Sequence, residues 1–302
     1  MKQGNKKIIL GWLVVLILGV AGMFLHHYNA AVAEEFHPFA AAQPQEPEET
    51  APDVAFIGDD FSLPDVNDYR PVYDKYTTKQ RQDKGLPTSY GGKRAYYYGD
   101  HVAYLTFDDG PNEANTMKIL SILKEEQIHA TFFLVGQNVE RYPDVVKAIY
   151  QSGNAIGIHS YSHDYKKVYA SPEAYTHELL QTEELIYNAI GVRPIISRAP
   201  GGTSGHFTPA FWSALQQIGY LEVGWNALTG DADGTAKTPQ QAVDNLRKQL
   251  QLRPYLNSHL VVLMHDASGH EATVEALPQI IKLLKDNGYT FRVVNSSVPP
   301  CW

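Results

Sequence analysis

Two adjacent carboxylates, Asp108 and Asp109, follow a short apolar run at residues 101–105 and precede a Gly-Pro pair. This pattern predicts a buried strand that ends in a turn. Two charges this close repel each other, and burial disfavours the ionised form, so the pair is costly unless it is used. A metal ion would bind one carboxylate and leave the other to handle protons. The alternative is a solvated turn, because Asp, Gly and Pro all favour turns.

A second candidate group is the pair His159 and His163, which follows the apolar segment 155–158. Two histidines four residues apart fall on one face if the segment is helical, and such pairs present two imidazoles to one metal. The alternative is two surface histidines in a polar loop, since the chain contains 12 histidines. One aspartate with two histidines would make the three protein ligands that are typical of a catalytic zinc site with an open position.

With these motifs the chain resembles the polysaccharide deacetylases with a NodB-homology domain, carbohydrate esterase family 4. The resemblance covers residues 101–294 and rests on five ordered motifs. They are Thr106-Phe107-Asp108-Asp109-Gly110, His159-Ser160-Tyr161-Ser162-His163, Arg198-Ala199-Pro200-Gly201-Gly202, Trp225-Asn226-Ala227-Leu228-Thr229-Gly230-Asp231-Ala232 and Leu263-Met264-His265.

The resemblance implies a metal site and a general base. Asp109, His159 and His163 would bind one divalent metal ion, with zinc as the first candidate and cobalt, manganese, nickel or iron as alternatives. Asp108 would take a proton from the attacking water, and Arg198 would pair with Asp108 and hold it ionised.

The remaining implied roles concern the leaving group and the substrate. His265 would protonate the departing amine, and Asp231 would hydrogen-bond to His265 and keep it protonated. The backbone N–H of Gly201 would help to stabilise the oxyanion. Pro200 and Leu263 would belong to the same substrate-binding region.

Three positions depart from the family pattern. Gly201 stands where an aromatic residue is frequent, and in the fourth motif Leu228 replaces an Asp and Ala232 replaces a Trp. The small side chains at 201 and 232 predict a wider cleft near the metal and weaker binding of a single sugar ring. We therefore expect a preference for longer or branched glycans, with remote sugars supplying the binding energy.

The expected function is metal-dependent hydrolysis of N-acetyl groups in a cell-wall or extracellular polysaccharide that contains N-acetylglucosamine. Peptidoglycan, a chitin-like polymer and poly-N-acetylglucosamine all remain candidates. One alternative is a deacylase of the same fold that acts on another amide or on an O-acetyl ester. Another is a non-catalytic carbohydrate-binding relative, which the intact base and acid disfavour because binding needs neither.

The amino-terminal third of the chain predicts a surface location. Residues 1–33 combine Lys2, Lys6 and Lys7 with an uncharged apolar stretch at 8–25, which predicts an anchor with its basic end inside. The protein would then act at the extracellular face of the membrane. If the segment is instead a signal peptide cleaved after Ala33, the protein is secreted.

Three further regions follow this segment. Residues 34–69 contain ten acidic and no basic residues and predict a linker rich in Pro and Ala. Residues 70–100 are expected to pack on the catalytic domain, residues 101–302. Outside the linker the net charge is about +2, so nothing indicates a nucleic-acid partner, and no protein partner is evident. A single cysteine, Cys301, allows no internal disulfide.

Apolar runs alternate with amphipathic segments from residue 101 onward, which predicts an α/β fold with a parallel sheet. The resemblance implies a distorted (β/α) barrel of about seven strands, with the motifs at the carboxyl ends of the strands. The predicted strands are 101–107, 131–135, 155–158, 194–198, 221–225, 260–265 and 290–294. The predicted helices are 115–126, 139–151, 172–189, 208–218, 239–251 and 273–287.

Overall fold

The structure is a computed structural model that describes residues 52–99, 101–253 and 258–301. Its strands are β1 Ala55–Phe56, β2 Val72–Asp74, β3 Val102–Asp108, β4 Thr131–Leu134, β5 Ala155–Ile158, β6 Arg193–Pro194, β7 Ile196–Ser197, β8 Leu221–Glu222, β9 Ala227–Leu228, β10 His259–His265 and β11 Thr290–Phe291. Its helices are α1 Thr78–Asp83, α2 Asn115–Glu125, α3 Gly136–Arg141, α4 Pro143–Gln151, α5 Tyr165–Val168, α6 Pro172–Ile190, α7 Pro209–Gln217, α8 Pro239–Leu252 and α9 Glu271–Asp286.

The main sheet confirms the predicted fold class. Its strands run in the order β8-β7-β5-β4-β3-β10-β9, and β11 pairs with β3 beside that path. Every strand pairing in this sheet is parallel. The sheet is curled and forms a half-barrel, and helices accompany it. Parallel strands bring their carboxyl ends to one edge, so residues that follow β3, β5, β7 and β10 meet there.

Strand β3 shows how the sequence places the site. All seven of its residues are buried, because the strand is covered on both faces. Leu105 and Phe107 lie on one face of β3 and belong to the larger apolar cluster, which also contains the buried apolar side chains of the helices. Tyr104 lies on the other face and belongs to a second apolar cluster. Side chains alternate along a strand, so Thr106 and Asp108 share the face of Tyr104, inside the half-barrel.

The predicted helices agree with the structure where start signals are clear. Ser171 and Thr238 each accept a hydrogen bond from a backbone N–H in the first turn of α6 and α8, with Pro at the first helical position. The predicted helix 139–151 is wrong as one element, because it breaks at Tyr142 before Pro143 into α3 and α4. The predicted strand 194–198 also divides, with β6 and β7 in different sheets.

A small second sheet has the strand order β1-β2-β6. Because β2 pairs antiparallel with β6, this sheet connects the residues before position 101 to the half-barrel. The predicted linker at 34–69 is therefore too long at its carboxyl end. Ala55, Ile57 and Phe61 are buried despite the acidic residues around them. Three apolar anchors suffice here because they pack on an existing core and need not form one of their own.

The predicted anchor or signal peptide at residues 1–33 lies outside the described residues, as do residues 34–51 of the predicted linker. Within residues 52–99, 101–253 and 258–301, no helix combines the length and apolar character that a membrane span requires.

Candidate active site

Asp108 and Asp109 are neighbours in sequence but have different partners. Asp108 ends β3 and is almost fully buried, whereas Asp109 begins the turn with φ of 74°. A non-glycine residue in this left-handed region indicates local strain that the surroundings must support. Asn138 supplies support by donating from Nδ2 to the Asp109 carbonyl oxygen at 2.8 Å. Asp108 contacts Arg198, and Asp109 contacts two imidazoles.

Arg198 is fully buried and fixes Asp108. Its Nη1 donates to Oδ1 of Asp108 at 2.9 Å and to Oγ1 of Thr106 at 2.7 Å. Its Nε and Nη2 donate to the carbonyl oxygens of Val223 and Gly224, each at 3.0 Å. The rigid fork of the guanidinium is thus satisfied on several sides, which orients the Asp108 carboxylate and balances its charge. Thr106 is a positioning residue that the motif alone did not single out.

His159 and His163 are presented by a loop after β5 and not by a helix. Ser160 and His163 have φ of 87° and 54°, values outside the right-handed α-helix, so the helical segment considered for this pair does not form. His159 Nδ1 lies 2.7 Å from the carbonyl oxygen of Arg198, which leaves Nε2 free to bind a ligand. Burial lowers the pKa of His159, and the neutral form that burial favours is the form that binds metals.

This loop, residues 159–164, is held by α6. Glu178 is buried and accepts hydrogen bonds from the backbone N–H groups of Tyr161 at 2.9 Å and Ser162 at 2.6 Å. Its Oε1 also accepts from Oγ of Ser162 at 2.8 Å, and Thr182 donates to the Ser160 carbonyl oxygen at 3.1 Å. A carboxylate in the middle of a long helix looks like a surface residue in the sequence, so this role had no sequence signal.

The residues Asp109, His159 and His163 fit a divalent cation. Oδ1 of Asp109 lies 3.1 Å from Nε2 of His163 and 3.5 Å from Nε2 of His159. This oxygen is buried and has no hydrogen-bond partner among the described residues, so three potential ligand atoms converge on an unsatisfied carboxylate. Burial opposes ionisation of Asp109, but contacts with both imidazoles outweigh it and lower its pKa. One carboxylate and two imidazoles match the ligands of zinc.

His265 ends β10 beside Asp108, its register partner on β3. Its Nδ1 lies 3.0 Å from Oδ1 of Asp231, and its backbone N–H donates to Oδ2 of Asp231 at 2.8 Å. Burial opposes protonation, but the hydrogen bond to Asp231 and the nearby carboxylates outweigh it and raise the pKa of His265 to about 9. Thr273 donates to Oδ2 of Asp231 at 2.8 Å and fixes the carboxylate further.

Two residues near this pair were missed. His270 stacks on His265 with ring centroids 5.1 Å apart, and its Nδ1 lies 3.8 Å from Oδ2 of Asp231. Asp266 is fully buried beside Gly110, where a Cβ would lie 2.4 Å from its Oδ2. Burial and the charges of the two aspartates of the first motif raise the pKa of Asp266 to about 7. Asp266 directly follows the fifth motif and His270 lies five residues after His265, but no spacing pattern marks either residue as functional.

The loop after β7 carries Pro200 and Gly201. Pro200 is buried, and Gly201 is exposed with φ of 70°. A Cβ at Gly201 would lie 2.5 Å from the hydroxyl of Tyr165. The expected widening of the cleft at Gly201 is therefore wrong, because the Tyr165 side chain occupies the space beside it.

Leu263 and the two unusual residues of the fourth motif, Leu228 and Ala232, lie on or shortly after strands β9 and β10. Leu263 is half-buried on β10 and pairs in register with Leu228 on β9. It lies two residues before His265 and shares its face of the strand. Ala232 is exposed directly after Asp231. All ten residues expected from the sequence thus lie at or after the carboxyl halves of neighbouring strands.

Comparison with known proteins gives the family of this arrangement. A family model described as polysaccharide deacetylase matches residues 96–223. A peptidoglycan-N-acetylglucosamine deacetylase of Bacillus cereus is 34% identical over 222 residues, which cover 70% of this chain and 74% of that protein. The peptidoglycan-N-acetylmuramic acid deacetylase PdaC of Bacillus subtilis is 31% identical over 196 residues, covering 64% of this chain and 38% of that protein.

Solved structures of related enzymes also match this chain. A CE4 esterase from Streptococcus mutans matches with a TM-score of 0.62 and 31% identity, covering 72% of this chain and 95% of that one. The polysaccharide deacetylase Bc1974 from Bacillus cereus matches with a TM-score of 0.60 and 33% identity, covering 67% of this chain and 97% of that one.

Proposed function

The chain belongs to the polysaccharide deacetylase family, and we propose that it hydrolyses N-acetyl groups of N-acetylglucosamine-containing polysaccharide in the cell wall, with peptidoglycan as the first candidate. The observation that carries the proposal is the unsatisfied Oδ1 of Asp109 between two imidazoles, next to a buried carboxylate and a histidine that favours the charged form. This combination provides a cation site, a base and an acid within one cleft, as amide hydrolysis requires.

Asp109, His159 and His163 would hold the divalent ion, which would polarise the acetyl carbonyl and supply positive charge as the oxyanion develops. Asp108 would take the proton from the attacking water. Its 2.9 Å contact with Arg198 keeps the carboxylate oriented for that step.

The carbon–nitrogen bond breaks only if the amine leaves as a neutral group. His265 would donate the proton to this nitrogen, since Asp231 favours its charged form. The backbone N–H of Gly201, which is an exposed residue, would donate a hydrogen bond to the oxyanion. The products would be acetate and a glycan with a free amine.

The direct test is to incubate the metal-loaded protein with peptidoglycan, a chitin oligomer and an O-acetylated xylan, and to measure released acetate and new amines. The proposal predicts equal amounts of acetate and amine from an N-acetylated glycan, and loss of both after chelation of the metal. Acetate without amine, released from xylan alone, would replace the proposal with ester hydrolysis. Binding without any acetate release would favour a carbohydrate-binding role.

We further propose that the protein acts at the outer face of the membrane, because residues 1–33 combine a basic start with an apolar stretch. Cell fractionation with an antibody to the barrel domain tests this location. Protein in the membrane fraction that a protease added to intact, wall-stripped cells can digest agrees with an anchor. A soluble form that begins after Ala33 indicates cleavage.

A further inference from the structure

Tyr165 is a large aromatic side chain at the edge of the candidate metal site. It begins α5, two residues after His163, and its ring meets the His163 ring edge to face with centroids 5.7 Å apart. The residue is 43% exposed, although it is surrounded by other aromatic rings. Tyr165 is therefore a partly exposed aromatic residue in direct contact with one of the three candidate metal ligands.

Neighbouring rings fix the Tyr165 ring in one position. Tyr169 and His206 each meet it edge to face at 5.8 Å, and these two rings stack on each other at 4.0 Å. The Tyr169 hydroxyl donates to the carbonyl oxygen of Pro200 at 2.6 Å, which ties the cluster to the loop of Gly201. Ordering of the ring thus costs little when a ligand binds.

The hydroxyl of Tyr165 lies beside Gly201. It lies 2.5 Å from the ideal position of a Cβ on residue 201, which is closer than a real Cβ could approach it. Within residues 52–99, 101–253 and 258–301 it forms no hydrogen bond. A tyrosine in this state offers an apolar ring face and one polar end, which is the combination that packs on the C–H face of a pyranose and bonds to a sugar hydroxyl.

We propose that Tyr165 forms the aromatic wall of the substrate cleft and contacts the sugar ring whose acetamide is hydrolysed. This inference rests on the proposed deacetylase function. It assigns sugar recognition beside the metal to a residue of α5, with Gly201 kept free of a side chain so that the tyrosine can lie over it. A Cβ at Gly201 would displace the tyrosine hydroxyl, and φ of 70° adds backbone strain for any other residue.

The test compares Tyr165→Ala and Tyr165→Phe with the control Tyr98→Ala. Tyr98 is also exposed, but it contacts His259 at the opposite end of β10 from His265. We expect Tyr165→Ala to raise KM for a chitin oligomer about 3- to 10-fold, with kcat changed less than about 2-fold and metal content unchanged. Tyr165→Phe should retain the ring contact and raise KM less, and the control should match the wild type.

An unchanged KM in Tyr165→Ala would overturn the inference. A fall in kcat together with loss of metal would also overturn it, because that pattern means that Tyr165 only supports His163. Binding of the same oligomer measured by calorimetry separates this inference from the proposed function. If the wild type binds the oligomer but releases no acetate, the proposed function fails, and the ratio of the Kd values of wild type and Tyr165→Ala still decides the role of Tyr165.

Discussion

Asp108 and Asp109 have different contacts, and we propose separate roles for them on that basis. Asp108 pairs with Arg198, whereas Asp109 faces two imidazoles with an unsatisfied oxygen. We expect Asp108→Asn to keep its metal and lose about 10²–10⁴-fold in kcat, since a general base is removed. Asp109→Asn should lose metal, because an amide oxygen is a weaker ligand. Elemental analysis with kinetics checks both variants, and the reverse pattern would exchange the two roles.

The pH dependence should report on His265. In the proposed mechanism the protonated form of His265 donates the proton, so kcat should fall as pH rises through the pKa of about 9. In Asp231→Asn an amide oxygen can still accept a hydrogen bond, but the negative charge that raises this pKa is lost, while burial still lowers it. The alkaline limb of the kcat profile should therefore move to lower pH. A limb that stays in place in this variant would show that another group donates the proton.

At the scale of elements, the loop 159–164 depends on α6. Glu178 accepts hydrogen bonds from two backbone N–H groups of this loop, and by holding the loop it should orient both imidazoles. We expect Glu178→Ala to weaken metal affinity about 10- to 100-fold, as loss of groups that hold metal ligands usually does. Glu184→Ala is the matched control, since Glu184 is exposed on the same helix.

Metal affinity is measured by competition with a chelator of known affinity. Equal affinities of Glu178→Ala and Glu184→Ala would show that the loop holds its shape without the buried carboxylate. Melting temperatures of both variants separate local loosening of the loop from general unfolding.

Elements with strong local signals could be predicted, and those set by tertiary contacts could not. Strand β5 agrees residue for residue, and α6 begins where Ser171 and Pro172 predict it. Two-residue strands such as β9 have no periodicity to detect, and they exist because a neighbouring strand pairs with them. The motifs likewise identified Asp108 and His265 as candidate site residues, but no motif includes Tyr165. Its hydroxyl lies beside Gly201 because the folded chain brings α5 next to the loop after β7.

At the scale of the whole molecule, a buried ionic network joins the small sheet to the barrel. Asp74 accepts from Nε of Arg193 at 3.0 Å and also pairs with Arg81, and Arg193 continues to Glu183 at 3.0 Å. All four side chains are at most 1% exposed. Removal of Asp74 and Arg81 would keep the Arg193–Glu183 pair but take away the acceptor of the buried Nε of Arg193, and a buried donor without a partner costs about 1–3 kcal/mol.

We therefore expect a chain that begins at residue 101 to unfold or aggregate, whereas a chain that begins at residue 52 keeps the described fold. The shorter chain would also lose the buried packing of Ala55, Ile57, Phe61 and Tyr73, and a typical domain is stabilised by only about 5–15 kcal/mol in total. Circular dichroism melting of both chains checks this prediction. A cooperative transition at the same temperature in both would show that the residues before 101 add nothing to the stability of the barrel.

The proposed activity is the removal of acetyl groups from glycan amines. It can be measured by mass spectrometry of muropeptides prepared from peptidoglycan after treatment with metal-loaded protein. We expect fragments that are lighter by whole acetyl groups, with the loss on glucosamine residues, and no such loss with the Asp108→Asn variant. Unchanged muropeptide masses with the metal-loaded wild type, or equal loss with Asp108→Asn, would rule out the proposed activity and mechanism.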